Sequence, residues 1–181
     1  MKFQTILSGK EYVFETKTGL FSKNEVDPGT RMLIENVEIN PTDIVLDLGC
    51  GFGSIGIVAA NLANKGKSYM VDVDIRAIKY SQLNAKLNKI NNVEILASDG
   101  FENLDNLKFD KILSHPPTHA GNETLIEFME GAKNHLRPDG VLYFVTEKRV
   151  KPYINREFER VFGNYQEVAS EKDWTLSMAR N

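Results

Sequence analysis

The stretch Asp43-Ile44-Val45-Leu46-Asp47-Leu48-Gly49-Cys50-Gly51-Phe52-Gly53 constrains this chain more than any other. Its short apolar run reads as a parallel strand buried on both faces. Glycine at every second position after it permits a tight turn with exposed backbone N–H groups and no Cβ in a ligand's way. Ser54-Ile55-Gly56-Ile57-Val58-Ala59-Ala60 follows as a helix. Strand, glycine loop and helix in that order form a nucleotide cradle at the strand's carboxyl end.

Gly51-Phe52-Gly53-Ser54-Ile55-Gly56 also satisfies the GxGxxG pattern of dinucleotide sites. In such sites the loop N–H groups and the helix N-terminus meet a pyrophosphate, which a neighbouring carboxylate would repel. Asp47 stands two residues before Gly49, at the strand's tip. A carboxylate there suits a ligand with a cationic amino-acid end, which favours S-adenosylmethionine over NAD.

At 181 residues the chain is expected to form one domain with a full core. No apolar run is long enough to span a bilayer. Met1-Lys2-Phe3-Gln4-Thr5 leads into no signal-peptide core. A single cysteine excludes an intrachain disulfide and fits a reducing cytoplasm. Three histidines and that cysteine show no metal-ligand spacing, so no metal is expected. A net charge of -3 argues against strong nonspecific nucleic-acid binding but leaves room for a local basic patch.

Past the N-terminal segment, strand and helix patterns alternate. Strands are predicted at Ile44-Leu48, Ser68-Val71, Val93-Ala97, Lys111-Ser114 and Val141-Thr146. Helices are predicted near Gly53-Ala63, Ile75-Asn88, Glu123-His135 and Lys151-Phe162, with a short one over Gly100-Leu107. Asn64-Lys65-Gly66-Lys67 and Arg137-Pro138-Asp139-Gly140 read as turns. The alternation implies α/β architecture, a mostly parallel seven-stranded sheet with helices on both faces. Tyr165-Ala169 and Trp174-Ala179 then pair as a C-terminal antiparallel hairpin. Upstream, Tyr12-Thr16 and Gly19-Phe21 read as a small hairpin, and Asp27-Pro28-Gly29-Thr30 as the capped start of a helix to about Val37. Residues 1–40 would cover the ligand and 41–181 would form the core.

Ligands of open α/β sheets sit beyond the carboxyl ends of the strands. There Asp47, Gly49, Gly51 and Gly53 follow the first strand and Asp72 the second. Asp72 suits two ribose hydroxyls, with a solvated turn acid as the alternative and Asp74 as a competitor. Asp99, after the third strand, suits an adenine amino group or a helix cap. After the fourth come His115, Pro116 and Pro117. Two prolines remove two N–H groups and stiffen the loop, so that carbonyls can aim at an exocyclic amine. Acceptors holding the amine's N–H groups would direct its lone pair at a methyl donor. Lys148 and Arg149 could grip phosphates and Tyr153 stack a base, or they could simply be a solvated helix start.

From Tyr12 to Met178 the sequence resembles the class I N-methyltransferases with an Asn-Pro-Pro motif. Asp47 to Gly53, Asp72 and the diproline loop carry that likeness. Gly19-Leu20-Phe21-Ser22, Val26-Asp27-Pro28-Gly29-Thr30-Arg31 and His115-Pro116-Pro117-Thr118-His119-Ala120-Gly121 are similar to the small-domain group that includes 16S ribosomal RNA guanine-N2 methyltransferases. The resemblance implies a Rossmann-like methyltransferase fold, S-adenosylmethionine as donor and an exocyclic amine as acceptor, usually of guanine in RNA. It also implies that Phe21 to Thr30 closes over the cofactor, with Thr30 against its carboxylate. Two positions depart from the pattern: His115 replaces the asparagine, and His119 stands where relatives place an arginine. A neutral imidazole offers one acceptor nitrogen and can take the amine's proton.

The expected activity is therefore N-methylation of ribosomal RNA at guanine N2. Adenine N6, a protein glutamine and a small-molecule amine remain alternatives with the same chemistry. A cofactor-binding subunit without catalysis, motivated by the His115 replacement, remains the alternative of another class. RNA contacts would come from the domain itself, a homodimer or another protein.

Overall fold

A computed structural model of the chain describes residues 1–17, 19, 25–117 and 121–181. The chain begins with strands β1 (Lys2–Leu7) and β2 (Lys10–Glu15) and helix α1 (Pro28–Asn36). Then come β3 (Ile44–Leu48), α2 (Ser54–Leu62), β4 (Lys67–Asp72), α3 (Ile75–Leu87), β5 (Val93–Ala97), β6 (Phe109–Ser114), α4 (Asn122–His135) and β7 (Leu136–Glu147). A 3-10 turn at Lys148–Val150, α5 (Lys151–Phe162), β8 (Gln166–Ser170) and β9 (Trp174–Arg180) complete it.

The apolar run becomes the middle of a seven-stranded sheet of order β5-β4-β3-β6-β7-β9-β8. β3 pairs parallel with β4 on one side and β6 on the other. It needs no polar face, because both faces are covered. Val45 packs into a core with α1, α2 and α3, whereas Leu46 and Leu48 pack into a second core with α4 and α5. The strand order reverses at β3, where β4 and β5 step one way and β6 and β7 the other. That reversal opens a crevice above the carboxyl ends of β3 and β6. The C-terminal hairpin forms as expected: β9 is antiparallel to both β7 and β8. Among the described residues, no helix is long and apolar enough to cross a membrane.

Three expectations need correction. The turn Arg137-Pro138-Asp139-Gly140 lies inside β7, which starts at Leu136. Its turn character survives as an irregularity: the β6 register passes from Phe109↔Leu136 to Lys111↔Val141, and Asp139 has φ 63°. The segment Gly100-Leu107 forms successive turns instead of a helix. Ser98 Oγ donates to Gly100 O (2.9 Å) and accepts from Asn103 N (3.1 Å), and these bonds compete with helical ones. The N-terminal hairpin pairs β1 with β2 around Ser8 and Gly9, both at positive φ, as a two-residue turn requires. Its expected second strand, Gly19-Phe21, falls largely outside the described residues.

Two amides fasten that hairpin to α3. Asn84 Oδ1 accepts from Glu15 N (2.7 Å) and its Nδ2 donates to Glu15 O (2.9 Å). Asn88, one turn on, does the same for Val13 N (2.9 Å) and Val13 O (2.7 Å). Asn84 Nδ2 also donates to Phe52 O (2.8 Å), so one buried amide joins hairpin, helix and glycine loop. Asn84→Ala is expected to lower unfolding free energy by about 1–3 kcal/mol in urea titrations, since buried backbone groups lose their partners.

Candidate active site

A cavity of about 410 Å³ lies over the sheet's switch point. Its walls are strand tips: Leu48 to Phe52 after β3, Asp72 to Asp74 after β4, Ser98 to Gly100 after β5 and His115 to Pro117 after β6. Glu147 of β7, Trp174 of β9, and Asp27 and Thr30 at the start of α1 close the other side.

The glycine loop is a wall fastened from behind. Gly49 N and Cys50 N both donate to Val71 O at 2.9 Å, and Gly53 N donates to Cys50 O at 2.8 Å. Gly51 N donates to Asp72 Oδ2 (2.9 Å), and Ser81 Oγ donates to Gly51 O (2.9 Å). The expected row of exposed N–H groups is thereby corrected, since these donors are used inside the protein. Gly53 has φ 95°, and a Cβ there would fall 2.7 Å from Met70 Cε, so only glycine makes this corner without displacing the core.

Asp47 lies beneath the loop, fully buried, and does not reach the cavity surface. Its Oδ2 accepts from Gly56 N at 2.8 Å, which ties the tip of β3 to the first turn of α2. Oδ1 has no hydrogen-bond partner among the described residues. Burial pushes its carboxyl up to about 7, against the lowering effect of the Gly56 bond and with a smaller push from the Asp72 charge. Asp72 stands at the rim, holding Gly51 N with Oδ2 and Asp74 N (2.9 Å) with Oδ1. Asp99 is exposed on the cavity wall.

Five carboxylates line the cavity (Asp27, Asp72, Asp74, Asp99 and Glu147), and among the described residues no lysine or arginine does. Asp74 and Glu147 are each paired with an arginine outside the lining, Arg76 and Arg149; Asp27, Asp72 and Asp99 leave a lining that disfavours a phosphate and attracts a cation.

At the opposite end from Asp99, Thr30 Oγ1 lies 2.9 Å from His115 Nδ1. Asp27 Oδ1 caps α1 by accepting from Thr30 N (3.1 Å) and lies 3.5 Å from the same Nδ1. The Trp174 ring stands edge-on to the imidazole, with centroids 4.9 Å apart. Burial holds the His115 imidazole below its ordinary value of 6.5, although Asp27 and Glu147 pull the other way. Pro116 is buried and Pro117 exposed at the cavity edge.

The structure thus brings together Gly49, Gly51, Asp72, Asp99, Thr30, His115, Pro116 and Pro117 around one space. Gly53 and Asp47 support it from behind. His119 lies outside the described residues. Lys148, Arg149 and Tyr153 sit past the end of β7, but none lines the cavity. Arg149 Nε pairs with Glu147 Oε2. Tyr153 donates to Asn122 O (3.4 Å) with Arg156 over its ring. Asp27, Glu147 and Trp174 were missed as site residues. Glu147 was legible by the strand-tip rule, being the last residue of β7. Trp174 was not, because β9 runs antiparallel and brings its first residue, not its last, to the ligand side.

A family model described as "Methyltransferase small domain" matches residues 11–177. The "Uncharacterized protein YbxB" of Bacillus subtilis (strain 168) is 35% identical over 177 residues, covering 96% of this chain and 88% of that protein. Ribosomal RNA small subunit methyltransferase C of Mannheimia succiniciproducens is 35% identical over 163 residues, covering 88% of this chain and 48% of the relative. Ribosomal RNA large subunit methyltransferase G of Shewanella denitrificans is 32% identical over 169 residues, covering 88% and 44%. The solved structure of the T. thermophilus 16S rRNA N2 G1207 methyltransferase (RsmC), in complex with AdoMet and guanosine, superposes with a TM-score of 0.90 at 26% identity. That match covers 99% of this chain and 50% of RsmC. The chain spans most of YbxB and about half the length of the named ribosomal RNA methyltransferases.

Asp47 carries a pH test. Its carboxyl titrates near 7 in the fold and near 3.8 in a free side chain, so the folded state binds the proton more tightly. The stability this lends is full below about 3.8 and is lost as pH rises through about 7. In thermal or urea unfolding of ligand-free protein, Asp47→Asn is expected to be more stable than the parent at pH 8, by a few kcal/mol at most, with the difference vanishing toward pH 4.

Proposed function

The chain belongs to the Methyltransferase small domain family, and on that premise we propose that it methylates an exocyclic amine of RNA, guanine N2 of ribosomal RNA, using S-adenosylmethionine. The observation that carries the choice of donor is the cavity lining of five carboxylates without a lysine or arginine among the described residues. It fits a sulfonium and an ammonium and opposes the pyrophosphate of a dinucleotide. The guanine acceptor is supported by likeness to RsmC, whose solved complex contains guanosine.

The residues present fit this cofactor. Among the described residues, and apart from the chain neighbours, a Cβ added to Gly49 or Gly51 would meet no atom within 4 Å, which leaves room beside the loop. Each Asp72 oxygen accepts one backbone N–H and keeps lone-pair capacity for a ribose hydroxyl. Asp99 would take the adenine amino group, and Thr30 the carboxylate of the amino-acid end. Asp47 acts through its field from below the loop. When bound, S-adenosylmethionine supplies an electrophilic methyl that a nitrogen lone pair can take.

The diproline corner positions that nitrogen. Pro116 and Pro117 carry no N–H, so their backbone offers acceptors and no donors to an incoming amine. Asp27, beside Nδ1 of His115, favours the ring proton at Nδ1 and leaves Nε2 as the accepting atom. Neutral His115 can then take the proton the amine sheds on becoming methylated. Residues 1–181 would act as one catalytic domain, with the start of α1 at the cavity. Further grip on RNA would come from Lys148 and Arg149, a second copy or another protein.

The test is transfer of labelled methyl from S-adenosylmethionine to ribosomal RNA, with protein and metabolite pools in parallel. N2-methylguanosine in RNA digests is the expected product. Label confined to another pool would replace the acceptor, and cofactor binding without transfer to any pool would leave a binding subunit. With His115 shifted below 6.5 by burial, its neutral form dominates from that value upward. The rate should therefore be flat from about pH 7 to 8 and fall as pH drops through a midpoint below about 6.5. His115→Ala should cost about 10²-fold or more in kcat, whereas His115→Asn, which keeps a hydrogen-bond acceptor but no base, should recover only part of that loss and show no acid limb.

A further inference from the structure

Glu147 and Trp174 are directly paired across β7 and β9, and both line the cavity beside His115. Trp174 is held in place from two sides. The His115 ring meets it edge-on, and a Cβ on Gly29 would lie 2.7 Å from its ring atoms, so α1 packs against the indole with no room to spare. Glu147 is the last residue of β7, its side chain 29% exposed, with Arg149 Nε on Oε2. Arg149 therefore orients this carboxylate at the cavity mouth. Among the described residues, the charged or titratable groups near the pair include Asp27 from the start of α1, His115 from the end of β6 and Arg149 from the turn after β7.

Resting on the methyltransferase reading above, we propose that Glu147 selects guanine as the acceptor, its carboxylate accepting from the adjacent N1–H and N2–H donors while the base packs against Trp174. A carboxylate offers only acceptors. Guanine presents two neighbouring N–H groups on its pairing edge. Adenine and cytosine present one amino group beside a bare ring nitrogen, which would face the carboxylate lone pair to lone pair. A base pair cannot offer that edge, so the nucleotide must be unpaired or flipped out. Holding one N2–H at Glu147 also fixes the rotation of the amine relative to the diproline corner. Arg149, expected from sequence to meet phosphate, is here a positioning residue for the base reader.

Calorimetric titration of guanosine, adenosine and N1-methylguanosine into protein saturated with S-adenosylhomocysteine tests this. Guanosine should bind at least about tenfold more tightly than adenosine, as a two-bond contact implies. N1-methylguanosine, which keeps the amine and lacks N1–H, should bind no better than adenosine. Glu147→Gln should weaken guanosine by about tenfold or more and abolish the preference over adenosine. Equal binding of guanosine and adenosine, undiminished binding of N1-methylguanosine, or a preference that survives Glu147→Gln would each overturn the assignment. If the variant does not fold, the N1-methylguanosine comparison on the parent protein decides alone. Failure of S-adenosylhomocysteine to bind would remove the donor and this proposal together. Donor binding with methyl transfer to adenine would remove the base reader and leave the methyltransferase.

Discussion

The bond from Gly56 N–H to Asp47 Oδ2 is the fixed point of the molecule. It joins the central strand to the first turn of the helix that follows the glycine loop. Around it, Val71 O, Asp72 and Ser81 hold the loop from β4 and α3. Asn84 then passes the same restraint to the N-terminal hairpin. The cost is a buried carboxylate with one oxygen lacking a hydrogen-bond partner among the described residues, its pKa raised to about 7. A cation in the cavity above would offset that cost, so the desolvation of Asp47 and the attraction for a charged ligand have one cause.

Electrostatics also separates two chemistries that a glycine pattern cannot. GxGxxG is a statement about backbone shape, and shape alone admits a pyrophosphate. Here Gly49, Cys50, Gly51 and Gly53 spend their N–H groups on protein acceptors, and the cavity surface carries carboxylates from four different stretches of chain. A multiply charged anion would meet Asp27, Asp72 and Asp99, with Asp74 and Glu147 held by arginines. A sulfonium would meet opposite charge in a partly enclosed space, where such interactions are weakly screened.

The two ends of the cavity are assembled differently. One comes from consecutive strand tips, read in chain order. The other joins Asp27 and Thr30, His115, Glu147 and Trp174, which belong to four distant stretches of chain. Its members constrain one another directly: the cap of α1 reaches His115, His115 meets Trp174, and Trp174 pairs with Glu147. A histidine in place of the family's asparagine is accommodated because a carboxylate and a hydroxyl already face its Nδ1.

The sequence by itself determined the sheet, because burial on both faces of β3 demands an unbroken apolar run and positive-φ corners demand glycine. It also determined that Asp72, Asp99 and His115 share one edge of the sheet, since each stands at or just past the end of a parallel strand and parallel strands all end on one side. Only the tertiary structure decided that Asp47 lies under the loop and not in the cavity, because a side chain's direction at a strand tip depends on what packs against it. Only the tertiary structure placed Trp174, because antiparallel pairing reverses which end of a strand faces the ligand. The Gly100-Leu107 helix failed for a related reason: the Ser98 hydroxyl captured backbone groups that helical periodicity would have assigned to one another.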